Sequence, residues 1–145
     1  MIDELGLPRL EKVLGMFPKL KFLGHSQKFW AEIGQCDEET RNGYPTGKVI
    51  PGRVVELMRK YPNLNGDMSA GSGANAMMRD PEFAYEFLEE FQDRLFFGLD
   101  ICAPQDSGIR VQLGEFLDEA MLKGKISYTA YEKISRGNAL DLLEK

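Results

Sequence analysis

Three polar residues stand where chemistry is most easily placed, each just beyond a short apolar run. Counting five residues on from Leu20, Leu64 and Leu95 gives His25, Ser69 and Asp100. Each leucine follows a similar joint: Phe17-Pro18-Lys19-Leu20, Tyr61-Pro62-Asn63-Leu64 and Phe91-Gln92-Asp93-Arg94-Leu95. Gly24, Gly66 and Gly98 lie shortly ahead of the polar positions. A histidine and an aspartate on neighbouring strand ends suit a divalent metal or a proton-transfer pair. Gly24 and Ser26 leave room around His25, although a core-edge ring bonded to a backbone carbonyl is the plainer reading of the same residue. Asp100 follows the apolar Phe96-Phe97-Gly98-Leu99, and Ile101-Cys102-Ala103-Pro104 after it is a poor helix start, which weakens a capping role. Trp30, in Ser26-Gln27-Lys28-Phe29-Trp30, either walls a substrate pocket with Phe29 or packs beneath the loop that follows. With Ser69 it completes the candidate substrate-binding set.

The elements needed to position these residues are short helices alternating with strands. Leu7, Leu10, Val13 and Leu14 give residues 3–16 a helical apolar face, which Pro18 ends. Strands are expected at Leu20–Gly24, Leu64–Ser69 and Leu95–Asp100. Helices are expected at Arg53–Lys60, from Asp80-Pro81 onward with Asp80 as N-cap, and over 111–123 and 128–143, the last capped by Ser127. The stretch from Gly34 to Gly52 is too long for a simple connector and reads as a lid or a solvated excursion. Such alternation implies about three parallel strands joined by right-handed crossovers, with chemistry at their carboxyl ends. His25, Ser69 and Asp100 then share one rim.

Gly71-Ser72-Gly73-Ala74-Asn75-Ala76 fits a dinucleotide pattern, GxGxxA, but Asp80-Pro81 cuts short any helix it opens. A flexible loop on the rim is the expected role, with anion binding as the alternative. Glu86, Glu89, Glu90 and Asp93 read as a solvated helix face, and Met77-Met78 as packing.

Composition narrows the function class. The 145 residues carry 18 basic and 23 acidic side chains, a formal charge of −5, which is no footprint for nucleic acid. No apolar run nears the roughly 20 residues of a membrane span, and the charged N-terminus is no signal peptide. A cytoplasmic protein is expected, with Cys36 and Cys102 as reduced thiols. One histidine excludes a histidine-rich metal centre built from this chain alone.

Phe17-Pro18-Lys19-Leu20-Lys21-Phe22-Leu23-Gly24-His25-Ser26 resembles the sixth-strand segment of the amidohydrolase-related metal-dependent hydrolases. Arg94-Leu95-Phe96-Phe97-Gly98-Leu99-Asp100 is similar to their eighth strand, with Leu99 where a small or hydroxyl residue is usual. Tyr131-Glu132-Lys133-Ile134-Ser135-Arg136-Gly137-Asn138-Ala139-Leu140 is similar to their closing helix. The resemblance implies a (β/α)8 barrel with one or two divalent metals at its carboxyl rim, zinc being the expected ion. It implies that His25 and Asp100 are metal ligands and that Asp100 also handles a proton. The family's first-strand HxH pair, fourth-strand bridging residue and fifth-strand histidine have no counterpart here. A whole barrel takes about 250 residues, so residues 1–145 match one unit running from the fifth helix to the closing helix.

The expectation is therefore an α/β chain forming a partial (β/α)8 barrel: a fragment or subunit of a metal-dependent amidohydrolase, inactive alone. A second chain supplying the amino-terminal half, or a second copy, is the expected partner, and the substrate is a small molecule with an amide or ester bond. Two other readings stand beside it: a non-catalytic α/β fragment that self-associates through open sheet edges, and a small ligand-binding domain using Gly71–Ala76.

Overall fold

The computed structural model describes residues 3–101, 103–104 and 107–144, with backbone only for 107–111. A three-stranded parallel sheet runs in the order β1 (Phe22–Gly24), β2 (Leu64–Asp67), β3 (Leu95–Phe96). Phe22 pairs with Leu64 and Gly24 with Gly66; Gly66 and Asp67 pair in turn with Leu95 and Phe96. The helices are α1 (Pro8–Met16), α2 (Gln27–Ala31), α3 (Glu38–Arg41), α4 (Arg53–Lys60), α5 (Ala70–Met78), α6 (Pro81–Glu90), α7 (Ser107–Leu122), α8 (Tyr128–Glu132) and α9 (Asn138–Leu143). The chain is thus mixed α/β with a parallel sheet, as the alternation implies.

Each strand is shorter than the expected one. β3 ends at Phe96 because the Phe97 N–H leaves the sheet and donates to Ile134 O at 3.0 Å. The first helix starts at Pro8 rather than residue 3, since Gly6 and Leu7 both take positive φ, 86° and 52°. The α4 span coincides with the expected one, and α6 (Pro81–Glu90) starts at the expected Pro81. Asp80 precedes Pro81 as expected but makes no cap bond to α6. Its carboxylate reaches across the chain to the Val49 N–H at 2.8 Å and to Lys48 Nζ at 3.3 Å.

That reach fixes the 34–52 stretch. Gly34 and Pro51 form an antiparallel bridge, the Gln35 N–H donates to Ile50 O at 2.9 Å, and the Gly52 N–H donates to Ile33 O at 2.8 Å. Its two ends therefore meet, with α3 and the Asp80 anchor between them. Val54, Val55, Leu57 and Met58 of α4 pack with Leu64, Met68, Leu88 and Leu95 in one core.

The Gly71–Ala76 stretch is helical, not a loop, and begins α5. A Cβ on Gly73 would overlap the Met68 carbonyl, so the missing side chain serves close packing of helix on strand exit. The acidic run of α6 ties helices together instead of only facing solvent. Glu90 takes both Arg59 nitrogens at 2.7 and 2.8 Å, Asp93 meets Lys133 Nζ at 2.7 Å, and Glu89 accepts from the Ser127 N–H. Ser127 caps α8 as expected, accepting from the Ala130 N–H at 3.0 Å. The expected last helix is divided by a π-helical turn at Lys133–Gly137. Beyond it Asn138 donates to Gln92 O and Leu95 O at 2.7 and 2.8 Å, holding β3 from its amino-terminal side. Met77 is fully buried, in keeping with a packing role. Cys36 is a free thiol, while Cys102 lies outside the described residues. Among the described residues no helix is long and apolar enough to cross a membrane.

Candidate functional site

The carboxyl ends of β1 and β2 lie side by side, because Gly24 and Gly66 are register partners. One residue beyond each sit His25 and Asp67, and His25 Nδ1 stands 3.2 Å from Asp67 Oδ2. Asp67 Oδ1 accepts the Ser69 N–H at 2.9 Å, while Ser69 Oγ lies 3.4 Å from the same His25 nitrogen. Asp67 thus locks the turn out of β2 with one oxygen and holds the imidazole with the other. In the tautomer that directs Nδ1–H at Asp67, the imidazole lone pair is at Nε2. Serine and aspartate share one imidazole nitrogen here, so the three do not form a relay, in which the serine faces the nitrogen opposite the carboxylate.

The glycines flagged by the repeat explain how the site is seated. A Cβ on Gly24 would strike the Phe29 ring, and one on Gly66 would lie 2.8 Å from Trp30 Cη2. Phe29 and Trp30 pack edge to face at 5.1 Å over this bare strip. Gly98 likewise leaves Ser69 its space, since a Cβ there would be 3.0 Å from Ser69 Cβ.

Trp30 does not wall the cleft. It is 1% exposed, and its indole N–H donates to Asp67 O at 2.7 Å. It supports the rim from below through the same residue that holds His25. The cleft beside His25, about 440 Å³, is bordered instead by Leu10, Leu23, Gln27, Phe29 and Arg41. Ser69 is 6% exposed and faces His25 and Gly98.

Asp100 is exposed and lies beyond β3, past Gly98, with φ 51°. The other two strand exits also carry a positive φ, there one residue past the polar position. Ser26 (φ 88°) and Ala70 (φ 64°) also take the left-handed region, each directly after a rim residue, His25 or Ser69. Such conformations cost a non-glycine residue roughly 1–2 kcal/mol and gather at functional sites. All three strand exits therefore bend sharply where the polar residues stand.

Asp67 is absent from the sequence-derived set, although its signal was present. A carboxylate inside an otherwise buried strand is uncommon and needs a partner. Asp67 and Ser69 also share one face by two-residue alternation. Asp67 lies three positions after Leu64 and Ser69 five, and both meet His25 at the rim.

The donors fit a divalent cation through one oriented nitrogen, His25 Nε2 with Asp67 as its outer-shell carboxylate. Among the described residues no three His, Cys, Asp or Glu side chains gather into one group. No protein-family model, curated protein or solved structure matches the chain.

Proposed function

We propose that the chain is the carboxyl-terminal part of a metal-dependent hydrolase barrel of the amidohydrolase-related type, inactive without the remaining ligands. The observation that carries this reading is the His25–Asp67 pair at 3.2 Å on the carboxyl rim of a parallel sheet. Asp67 presents His25 Nε2 as one metal ligand, and Asp100 is assigned the second ligand position and the proton-handling role. A divalent metal, zinc being the expected one, would supply a water acidic enough to attack an amide or ester carbonyl at neutral pH. Strands in sequential order, all parallel with helical crossovers, favour single winding of the barrel kind over a doubly wound sheet. The partner is a chain carrying the other ligands, the substrate is a small molecule, and the compartment is the cytoplasm.

Zinc titration of the pure chain, followed at the single histidine ring, tests the assignment. We expect weak binding, well under one tightly held ion per chain, with shifts centred on His25 and lost in His25→Ala. One tightly bound zinc per chain sinks the incomplete-site reading. An unmoved His25 ring sinks its role as ligand.

A non-catalytic, self-associating subunit is the second reading. Phe17, Leu20 and Leu23, in and just before β1, are 50%, 56% and 44% exposed, an apolar strip along an edge strand. Light scattering should then give at least twice the 16.4 kDa chain mass. Self-association without zinc binding at His25 favours this reading over the first.

A further inference from the structure

Arg79 ends α5 beneath the 34–52 stretch, and no ion pair holds its charge, although neighbouring Asp80 lies close enough to act on it. The guanidinium lies against the Gly34 backbone, where a Cβ would come within 2.6 Å of Nη2. Nε is buried and makes no hydrogen bond, and no carboxylate among the described residues forms an ion pair with Arg79. Asp80 is next in the chain, but its oxygens are occupied by the Val49 N–H and Lys48 Nζ. Arg79 is half-buried, and holding a partly desolvated cation without an ion-pair partner carries a cost.

The same guanidinium borders a cavity of about 400 Å³ between the 34–52 stretch and α5. Thr40, Tyr44 and Thr46 bring hydroxyl groups to its lining, and Pro45 and Ile50 bring apolar surface. Lys48 is in the lining but engaged with Asp80, and Glu39 is the one carboxylate in the lining. None of these residues borders the cleft beside His25.

We propose that this cavity is a binding site for a small organic carboxylate, with Arg79 as its anchor. A planar guanidinium pairs with a carboxylate through two parallel N–H···O bonds. A single unpaired cation, with Lys48 neutralised and Glu39 opposing, balances one negative charge better than two. That favours a carboxylate over a phosphate dianion. The hydroxyl-bearing residues would serve the polar end of the ligand, and Ile50 and Pro45 its hydrocarbon part. Occupancy would tie Arg79 to the loop that Asp80 already anchors. The proposal does not depend on the proposed hydrolase function.

Benzoate titrated into the full chain at neutral pH, at constant ionic strength, tests this by amide and arginine Nε–H correlation spectra. We expect saturable millimolar binding that moves the Arg79 Nε–H and the amides of residues 44–48. Arg79→Gln should weaken binding by about tenfold or more, and Arg79→Lys, which keeps charge but loses the fork, by about threefold. Glu39→Gln, at an exposed position, should tighten it about twofold. That variant keeps the test decisive if Arg79→Gln does not fold. Absence of saturable shifts, binding indifferent to both Arg79→Lys and Glu39→Gln, or inorganic phosphate binding more tightly than benzoate would each overturn the assignment.

Discussion

Asp67 Oδ2 approaches His25 Nδ1 to 3.2 Å, and that approach decides which imidazole nitrogen is left for chemistry. Asp67→Asn keeps the shape but removes the charge that orients the ring. Zinc affinity at His25 should fall about 10–100-fold, the usual effect of losing an outer-shell carboxylate. Zinc titration read at the histidine ring measures it, and an affinity unchanged by the substitution contradicts the holding role.

Ala70 takes φ 64° immediately after Ser69. Ala70→Gly removes a Cβ from an unfavourable conformation and should stabilise the chain by about 0.5–1 kcal/mol, after the entropic cost of glycine. Urea denaturation at constant slope reads the change. A destabilised variant would mean that the Ala70 side chain contributes packing that outweighs its strain.

Gly73 answers in the opposite direction. Its missing Cβ is where the Met68 carbonyl lies, and backbone gives way less easily than a side chain. Gly73→Ala should destabilise by about 2–3 kcal/mol, the scale of overpacking in a tight core. Far-ultraviolet circular dichroism on heating should show a lower midpoint.

Glu32 and Arg41 form a buried ion pair, with Arg41 Nε 2.6 Å from Glu32 Oε1. Glu32 also accepts the Gly6 N–H at 2.8 Å, and Arg41 donates to Asp3 O at 2.9 Å, so the pair ties the start of the chain to α3. Glu32→Ala leaves a buried cation and should cost about 3–5 kcal/mol. The double variant Glu32→Met, Arg41→Leu should cost clearly less. Equal losses would mean that the ion pair itself, rather than the stranded charge, carries the stability.

The acid limb of stability has named carriers. The Val49 N–H holds the Asp80 carboxyl below its ordinary value, Lys60 does so for Glu11, Arg59 for Glu90 and the Thr40 N–H for Asp37. A carboxylate with a lowered folded pKa stabilises above its unfolded pKa and loses that contribution as pH falls through the folded one. Stability should therefore drop as pH falls below about 4. Asp80→Asn should flatten that drop while lowering the neutral-pH midpoint. Burial pushes Glu32 the other way, so its contribution is present at low pH and lost as pH rises through its raised folded value.

The sequence made the rim legible through punctuation rather than through chemistry. Pro62, Pro81 and the glycines mark where elements stop and start, and α4 and α6 follow those marks. His25 stood out because it is the only histidine and follows a short apolar run. Asp67 was hidden because Asn65-Gly66-Asp67 has no apolar signature, yet it is the residue that organises the site. Asp80 does stand at the N-cap position of α6, but its main contact is not legible from that position. A local rule for helix starts cannot anticipate a partner 31 residues away, the Val49 N–H. The helical state of Gly71–Ala76 runs against glycine propensity, while the overlap a Cβ on Gly73 would make with the Met68 carbonyl explains why glycine stands there.

The seating of Trp30 has an optical consequence. The chain has one tryptophan, its indole N–H is bonded to Asp67 O, and the Asp67 carboxylate touches His25. Excitation at the red edge of the aromatic band, where the five tyrosines absorb little, therefore selects a single emitter, joined through one intervening residue to the imidazole. Its wavelength and lifetime give a built-in gauge of events at the rim, with no added dye and no competing indole to subtract.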